Sequence, residues 1–182
     1  TRATIAKEKG LEGLANIILL QQTKDLTADA QNYLSEEKEV NTVEDAIAGA
    51  CDIIAESIAD EADYRFYIRK ATMDEGLIVS TAKDAKAKSV YENYYEFDEQ
   101  VKKIAGYRIL AINRGEKEKF LVVKIEAPEE RIIRYLEKKV LVNENQATTP
   151  VLQETITDSY QRLIAPAIER EIRNELTERA ED

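Results

Sequence analysis

Apolar residues recur every three or four positions over much of this 182-residue chain, as in amphipathic helices. The clearest stripe follows "TVED" (42–45), which resembles a capping box with Asp in place of the usual Glu. Its members are Val43, Ala46, Ile47, Ala50, Ile54 and Ile58. The pattern predicts a helix from 43 to about 58.

The same spacing predicts further helices along the chain. We expect helices at 3–9, at 11–22, from a cap at Thr27 through Leu34, from a cap at Asp60 to near Gly76, from 107 to between 114 and 118, and from Pro128 to about 141. The segment "NENQATTP" (143–150) is a predicted loop.

Two short runs of β-branched residues change this pattern. "LIVST" (77–81) and "FLVVKI" (120–125) predict strands that lie side by side. The aromatic segment 91–97 is ambiguous, and 98–104 is predicted to be another short helix. Gly115 is expected to turn the chain from helix 107–118 towards strand 120–125. The predicted fold class is therefore mainly α, multi-helical, with a small β element.

Residues 150–180 give the longest helical signal, since apolar residues recur there every four positions from Tyr160 to Leu176. Pro166 interrupts the pattern, because proline has no backbone N–H and clashes with the carbonyl of Arg162. We expect a kink or break there. We also expect two parts, a helical domain at 1–149 with the small β element, and a long helix at 150–182 leading into a further domain.

Composition excludes several classes of chemistry. The chain has no histidine, which removes Ser-His-Asp and Cys-His catalytic pairs. A single cysteine, Cys51, excludes an intrachain disulfide and a structural zinc site, and suits a reducing compartment. The longest apolar run, 14–20, is too short for a membrane span. We therefore expect no enzyme activity, cofactor, small-molecule substrate or membrane association.

Charge is unevenly distributed along this acidic chain, whose formal net charge is −10. Residues 25–63 contain twelve acidic residues and one basic residue, whereas 101–124 contains seven basic and two acidic residues. Either the two regions face each other, or the basic one contacts a polyanion.

The segment "RILAINRGEKEK" (108–119) carries the basic region, and two interpretations of it stay open. It is the end of a helix whose basic residues favour the helix dipole, or it belongs to a basic rim that contacts nucleic acid or a partner. The rim would consist of Lys102, Lys103, Arg108, Arg114 and Lys117. A phosphate-binding loop is excluded, because GxxxxGK[ST] is missing.

Three other candidate sites are better explained by structural roles. Tyr91, Tyr94, Tyr95 and Phe97 could stack unpaired bases, but the acids between them favour a packing role. "ADEAD" (59–63) lacks the spacing of a calcium loop and is typical of an acidic helix start. Cys51 lies within the apolar stripe, where a small core residue is expected.

Four stretches resemble the Tex family of bacterial transcription accessory proteins: "TRATIAKEKGLEGLA" (1–15), "AIAGACDIIAE" (46–56), "RILAINRGEKE" (108–118) and "RLIAPAIEREIRNELTERAE" (162–181). The resemblance implies a cytoplasmic, multidomain protein that binds RNA or DNA. It implies a helical N-terminal region, an RNase-H-like domain without catalytic acids, helix-hairpin-helix motifs and a C-terminal OB-type domain. The chain would begin after the family's first helices and stop before the RNase-H-like domain.

The chain departs from the family pattern at three places. Gly106 and Tyr107 stand where the family commonly has Ser-His, Gly13 stands where it often has Pro, and Lys119 stands where Gly is expected. We carry two functional hypotheses. Either the chain is a non-enzymatic scaffold segment that contacts nucleic acid through the basic rim, or its acidic 25–63 face docks other domains or the transcription machinery.

Overall fold

The structure, a computed structural model, describes all residues 1–182. The chain forms two compact units. Unit 1 contains Thr1–Arg65 and Ile133–Ala165, and unit 2 contains Phe66–Ile132 and Pro166–Asp182. Our prediction that 150–182 leads into a further domain stays a prediction.

The predicted fold class is confirmed, since helices dominate and the β element is one small sheet. The helices are α1 (Arg2–Glu8), α2 (Glu12–Leu20), α3 (Leu26–Gln31), α4 (Val43–Ala59), α5 (Ala62–Glu75), α6 (Gly106–Lys117), α7 (Glu129–Val140), α8 (Thr149–Asp158) and α9 (Ala165–Glu181). The strands are β1 (Leu77–Ala82), β2 (Glu96–Gln100) and β3 (Leu121–Glu126).

Helix α4 is the central helix of unit 1. Thr42 caps it by accepting a hydrogen bond from the Asp45 N–H at 3.0 Å, as the sequence predicted. Ala46, Ala50, Ile54 and Ile58 of its apolar stripe are buried, and the helix packs against α1, α2 and α8. Two predicted caps were wrong. Asp25, not Thr27, caps α3, and Asp60 lies at the C-terminal end of α4.

A buried amide network ties the loop before α8 to the end of α2. Gln21 is 3% exposed, and its side chain donates to the Val140 carbonyl at 2.8 Å and accepts from the N–H groups of Val142 and Asn143. Asn145 donates to the Gln21 carbonyl at 3.2 Å. Because these buried polar groups satisfy one another, the predicted loop is held in a defined conformation.

Unit 2 contains an antiparallel sheet with strand order β2-β1-β3. The predicted neighbours β1 and β3 are paired, with Ser80 opposite Val123. On the other side of β1, Ser80 lies opposite Phe97 of β2. The helix predicted at 98–104 is therefore wrong. Pairing with β1 makes 96–100 an edge strand, and a turn follows at 101–103.

Helix α6 packs on the sheet through Ile109, Ile112 and Gly115, which are buried. The prediction that Gly115 turns the chain was wrong. A methyl group at Gly115 would lie 2.5 Å from Leu121 Cδ1 and 3.1 Å from the Tyr91 ring, so this glycine permits close packing inside the helix.

Lys119 makes the turn instead, with a left-handed φ of 68°. The Phe120 N–H donates to the Gly115 carbonyl at 2.9 Å, and the Lys119 N–H to the Glu116 carbonyl at 3.1 Å. These two bonds form a Schellman motif, in which glycine is the usual left-handed residue.

Tyr91 fixes the loop between β1 and β2 against this helix end. Its ring is 5% exposed and lies 5.8 Å from the Phe120 ring, and its hydroxyl donates to the Glu118 carboxylate. This hydrogen bond raises the pKa of Tyr91.

The chain is helical from Thr149 to Glu181, but six residues, Ser159–Ile164, are π-helical. The Ala165 N–H donates to the Tyr160 carbonyl, five residues back. Pro166 has no N–H to offer the Arg162 carbonyl, so the regular α-helical bonding is interrupted here. The predicted interruption of the helix near Pro166 is therefore a π-helical segment that ends just before the proline.

Replacing Lys119 by glycine should stabilise unit 2. Glycine adopts a φ of 68° without the steric cost that lysine has, so Lys119→Gly should raise the free energy of unfolding by about 0.5–1 kcal/mol in urea titrations. Lys119→Ala is the matched control, because it removes the same charge and keeps the left-handed strain. Equal stability of the two variants would contradict the explanation.

The Tyr91–Glu118 hydrogen bond should make stability depend on alkaline pH. Because the folded-state pKa of Tyr91 is raised, its contribution is fully present below the unfolded value of about 10 and is lost as pH rises through the folded pKa. The stability difference between wild type and Tyr91→Phe should therefore shrink above about pH 10. A pH-independent difference for Tyr91→Phe would exclude this role.

Candidate nucleic-acid interface

The five residues of the predicted rim occupy two separate places on unit 2. Lys102 and Lys103 lie in the turn before α6, and Arg108 lies in its first turn, whereas Arg114 and Lys117 lie in its last turn. At about 100° per residue, Arg108 is roughly 120–180° around the helix from the other two. The rim is therefore not one continuous face.

Arg114 and Lys117 join a set of cations that we call the basic end. The Lys83 N–H donates to the Phe120 carbonyl at 2.9 Å, which places the loop after β1 beside the end of α6. This loop carries three lysines within "KDAKAK" (83–88). The basic end comprises Lys83, Lys86, Lys88, Arg114, Lys117 and Lys119, and all six are exposed.

The acids of the basic end already have partners. Glu118 accepts the Tyr91 hydroxyl, Glu116 pairs with Arg173 at 2.7 Å, and Asp84 accepts from the Lys86 backbone N–H at 3.0 Å. None of the six basic side chains forms an ion pair. Their charged groups are available to a polyanion.

Sequence reasoning missed the lysines of the loop. Three lysines and one acid within six residues are a local signal that could have been noticed. The position of their loop beside the end of α6 depends on the β1–β3 register, in which Ala82 is opposite Leu121. The sequence alone does not reveal that pairing.

Arg108 lies in an aromatic setting that we call the Arg108 stack, made of Tyr94, Phe97, Tyr107 and Arg108. Its guanidinium carbon is 5.5 Å from the Phe97 ring centroid and 5.6 Å from that of Tyr107. Arg108 Nε donates to the Tyr107 hydroxyl at 3.1 Å, which raises the pKa of Arg108. Arg108 is half-buried. Cation–π contacts with the Phe97 and Tyr107 rings, and not an ion pair, stabilise its charge.

Unit 1 has a groove of about 430 Å³ between α4 and α8. Ile47, Cys51 and Val151 line its apolar part, and Glu44, Asp52, Glu154 and Asp158 lie around it with Arg2. Burial raises the pKa of Cys51 and of Asp52, although Arg162, 3.8 Å from Asp52, opposes the second shift. We call this the acidic groove.

The acidic segment 59–63 adds no metal site. No group of three or more His, Cys, Asp or Glu side chains is arranged to hold a metal ion, and this includes the acids of 59–63. No helix combines the length and the apolar character needed to cross a membrane.

Comparison with known proteins places the chain in a family. The family described as Tex central region-like matches residues 21–182. Uncharacterized protein YdcI of Bacillus subtilis is 53% identical over the whole chain, which corresponds to 26% of that protein. Transcriptional accessory protein Tex of Neisseria gonorrhoeae is 31% identical over 69% of the chain and 16% of its own length.

A human protein, S1 RNA-binding domain-containing protein 1, is 30% identical over the whole chain and 19% of its own length. The chain thus spans about a quarter or less of the length of these relatives. Residues 21–182 include α6, the sheet and the C-terminal helices, so the match covers every element that forms the basic end. The chain belongs to the Tex family and corresponds to its central region.

Proposed function

We propose that this chain is a non-enzymatic helical scaffold segment of a nucleic-acid-binding transcription accessory protein of the cytoplasm, and that it contacts RNA or DNA through the basic end. The observation that supports this most directly is the set of six exposed cations without ion pairs. The names of the relatives, which refer to transcription and RNA binding, agree with such a role. The proposal invokes no cofactor and no small-molecule substrate.

The geometry of the basic end suits a phosphate backbone. Lysine and arginine donate charged hydrogen bonds to phosphate, and each contact releases a condensed counterion. Of the three nearby acids, Glu116 is paired with Arg173, whereas Glu118 and Asp84 accept hydrogen bonds from neutral donors and keep their charge, so the six cations outnumber them. Binding would be independent of base sequence, because backbone contacts position a strand without reading it.

The acidic net charge of the chain does not oppose this proposal, because the charge is unequally divided. Unit 1 has 18 acidic and 10 basic residues, whereas unit 2 has 18 and 16. Unit 2 is therefore close to neutral overall, and its cations are concentrated at one end. A polyanion would be attracted to that end in preference to unit 1.

Reversing two charges of the basic end should weaken binding. Arg114→Glu plus Lys117→Glu should reduce the affinity for a single-stranded oligonucleotide at least tenfold at low salt. It should also make the slope of log K against log salt shallower by at least about 1. Fluorescence anisotropy titrations at several salt concentrations would measure both quantities.

The matched control changes the same number of charges on unit 1. Lys24→Glu plus Lys138→Glu replaces two exposed lysines there, and it should alter affinity by less than threefold. Equal losses in the two double variants would show that net charge, and not the basic end, governs binding. Absence of binding by the wild-type chain at low salt would refute the proposal.

A second candidate function is protein docking at the acidic groove. Its apolar part is surrounded by four carboxylates and one arginine, which suits a partner segment that carries apolar and basic side chains. Such a partner could be another domain or a component of the transcription machinery.

Ala48 lies exposed at this groove and allows a selective test. Ala48→Arg would place a long cation where a basic partner should sit, so crosslinking of unit 1 to a purified partner should fall at least tenfold. Nucleic-acid affinity should stay unchanged. Ala62→Arg, at an exposed position of unit 1 outside the groove, is the control. Equal crosslinking by both variants would rule out docking at the groove.

A further inference from the structure

Tyr107 presents a large aromatic ring to solvent at the start of α6. The residue is 67% exposed, although it belongs to a helix whose apolar residues Ile109 and Ile112 are buried. A tyrosine at this position contributes little to the core. Single exposed rings are ordinary on protein surfaces, and Phe66 of the same unit is 73% exposed, so the surroundings of Tyr107 decide whether its ring can act as a binding platform.

The ring is nevertheless held in place. Arg108 Nε donates to its hydroxyl at 3.1 Å, and the guanidinium of Arg108 lies over the Phe97 ring. Phe97 in turn meets the Tyr94 ring at 5.1 Å in an edge-to-face arrangement. The Ser80 hydroxyl donates to the Tyr94 carbonyl at 2.8 Å, which anchors this row to the central strand.

Close packing also fixes the helix start that carries Tyr107. A methyl group on Gly106 would lie 3.2 Å from the Cα of Ala180 in α9, so the backbone here approaches that helix directly. Arg108 thus holds the hydroxyl of the ring, and the packing of Gly106 on Ala180 holds the backbone that carries it. A surface aromatic that is already ordered loses little entropy when a ligand stacks on it.

Two cations precede this ring in the chain. Lys102 and Lys103 are exposed in the turn that leads into α6, and neither forms an ion pair.

The acids of β2 are divided between its two faces. Glu96 and Asp98 alternate with Phe97 and Glu99, so they lie on the face of the sheet opposite the stack. Glu99 is on the same face as the stack, and its attraction contributes to the raised pKa of Arg108.

We infer that Tyr107 is a stacking site for one unpaired base of a single-stranded nucleic acid, with Lys102 and Lys103 contacting its phosphates. This inference rests on the proposed function and adds a substrate class to it. A base in a duplex is already stacked on both faces, whereas an unpaired base gains a partner from an exposed aromatic ring. The basic end would bind either form, and the Tyr107 site would favour the single strand.

The chain contains no tryptophan, which permits a direct optical test. Tyr107→Trp introduces a single tryptophan whose fluorescence should be quenched when a base stacks on it. A ten-nucleotide oligoadenylate should quench this fluorescence at saturation. A hairpin duplex of equal length and heparin should not. Phe66→Trp, at a position that is 73% exposed in the same unit, is the control and should show no quenching with any of the three.

Affinity gives an independent measurement. Tyr107→Ala should weaken oligoadenylate binding about tenfold and leave duplex binding within twofold, whereas Tyr107→Phe should retain single-strand affinity. Circular dichroism would verify that both variants are folded. Equal losses for single strand and duplex, or equal quenching of Tyr107→Trp by heparin, would overturn the inference.

The outcomes separate this inference from the proposed function. If Arg114→Glu plus Lys117→Glu weakens both nucleic acids while Tyr107→Ala changes neither, the basic end stands and the stacking site fails. If Tyr107→Ala selectively weakens the single strand while the basic-end variant has no effect, the stacking site stands and the basic end fails. If the wild-type chain binds neither probe at low salt, both fail.

Discussion

The absence of a side chain at position 115 is the constraint on which the candidate interface depends. Leu121 and the Tyr91 ring both occupy the space that a Cβ on Gly115 would fill. Their packing brings the start of β3 and the loop after β1 against the end of α6, so the backbone that carries Lys83, Lys86 and Lys88 lies beside the helix end that carries Arg114 and Lys117. A larger residue would separate these segments and cost about 1–3 kcal/mol of strain. The grouping of exposed cations is therefore a consequence of packing inside the helix–sheet layer.

Much of the fold could be predicted from local pattern, because several elements carry their own signals. The stripe and cap of α4, the β-branched runs of β1 and β3, and the proline before α7 all indicated the observed elements within a few residues. Strand β2 has no such signal. Its sequence, "EFDEQ", contains one apolar residue, and only its pairing with β1, from Leu77 opposite Gln100 to Thr81 opposite Glu96, makes it a strand. Lys119 likewise occupies a left-handed position that favours glycine. Because residue type favoured glycine for the turn, the sequence predicted the turn at Gly115, which is wrong.

The interface was less accessible to sequence reasoning, for a geometric reason. The five predicted residues are near one another along the chain, but a helix of twelve residues carries Arg108 and Arg114 to different sides. This separation follows from helical periodicity and needs no coordinates. In contrast, the membership of Lys83, Lys86 and Lys88 in the basic end can be recognised only when the register of the sheet is known. The aromatic surroundings of Arg108 also depend on β2, whose existence the sequence did not indicate, so its interaction with Phe97 could not be foreseen.

Local and net charge lead to opposite expectations for this chain, and the range of electrostatic forces decides between them. At about 0.1 M salt, interactions between exposed charges are largely screened beyond roughly 10 Å. The net charge of −10 therefore has little influence on a phosphate that touches the basic end, where six cations have no carboxylate partner. Nearby acids matter more, and here Glu116 is paired with Arg173, while Glu118 and Asp84 keep their charge against six cations. An acidic protein can thus present a surface suited to a polyanion, provided that cations outnumber unpaired carboxylates where that surface lies.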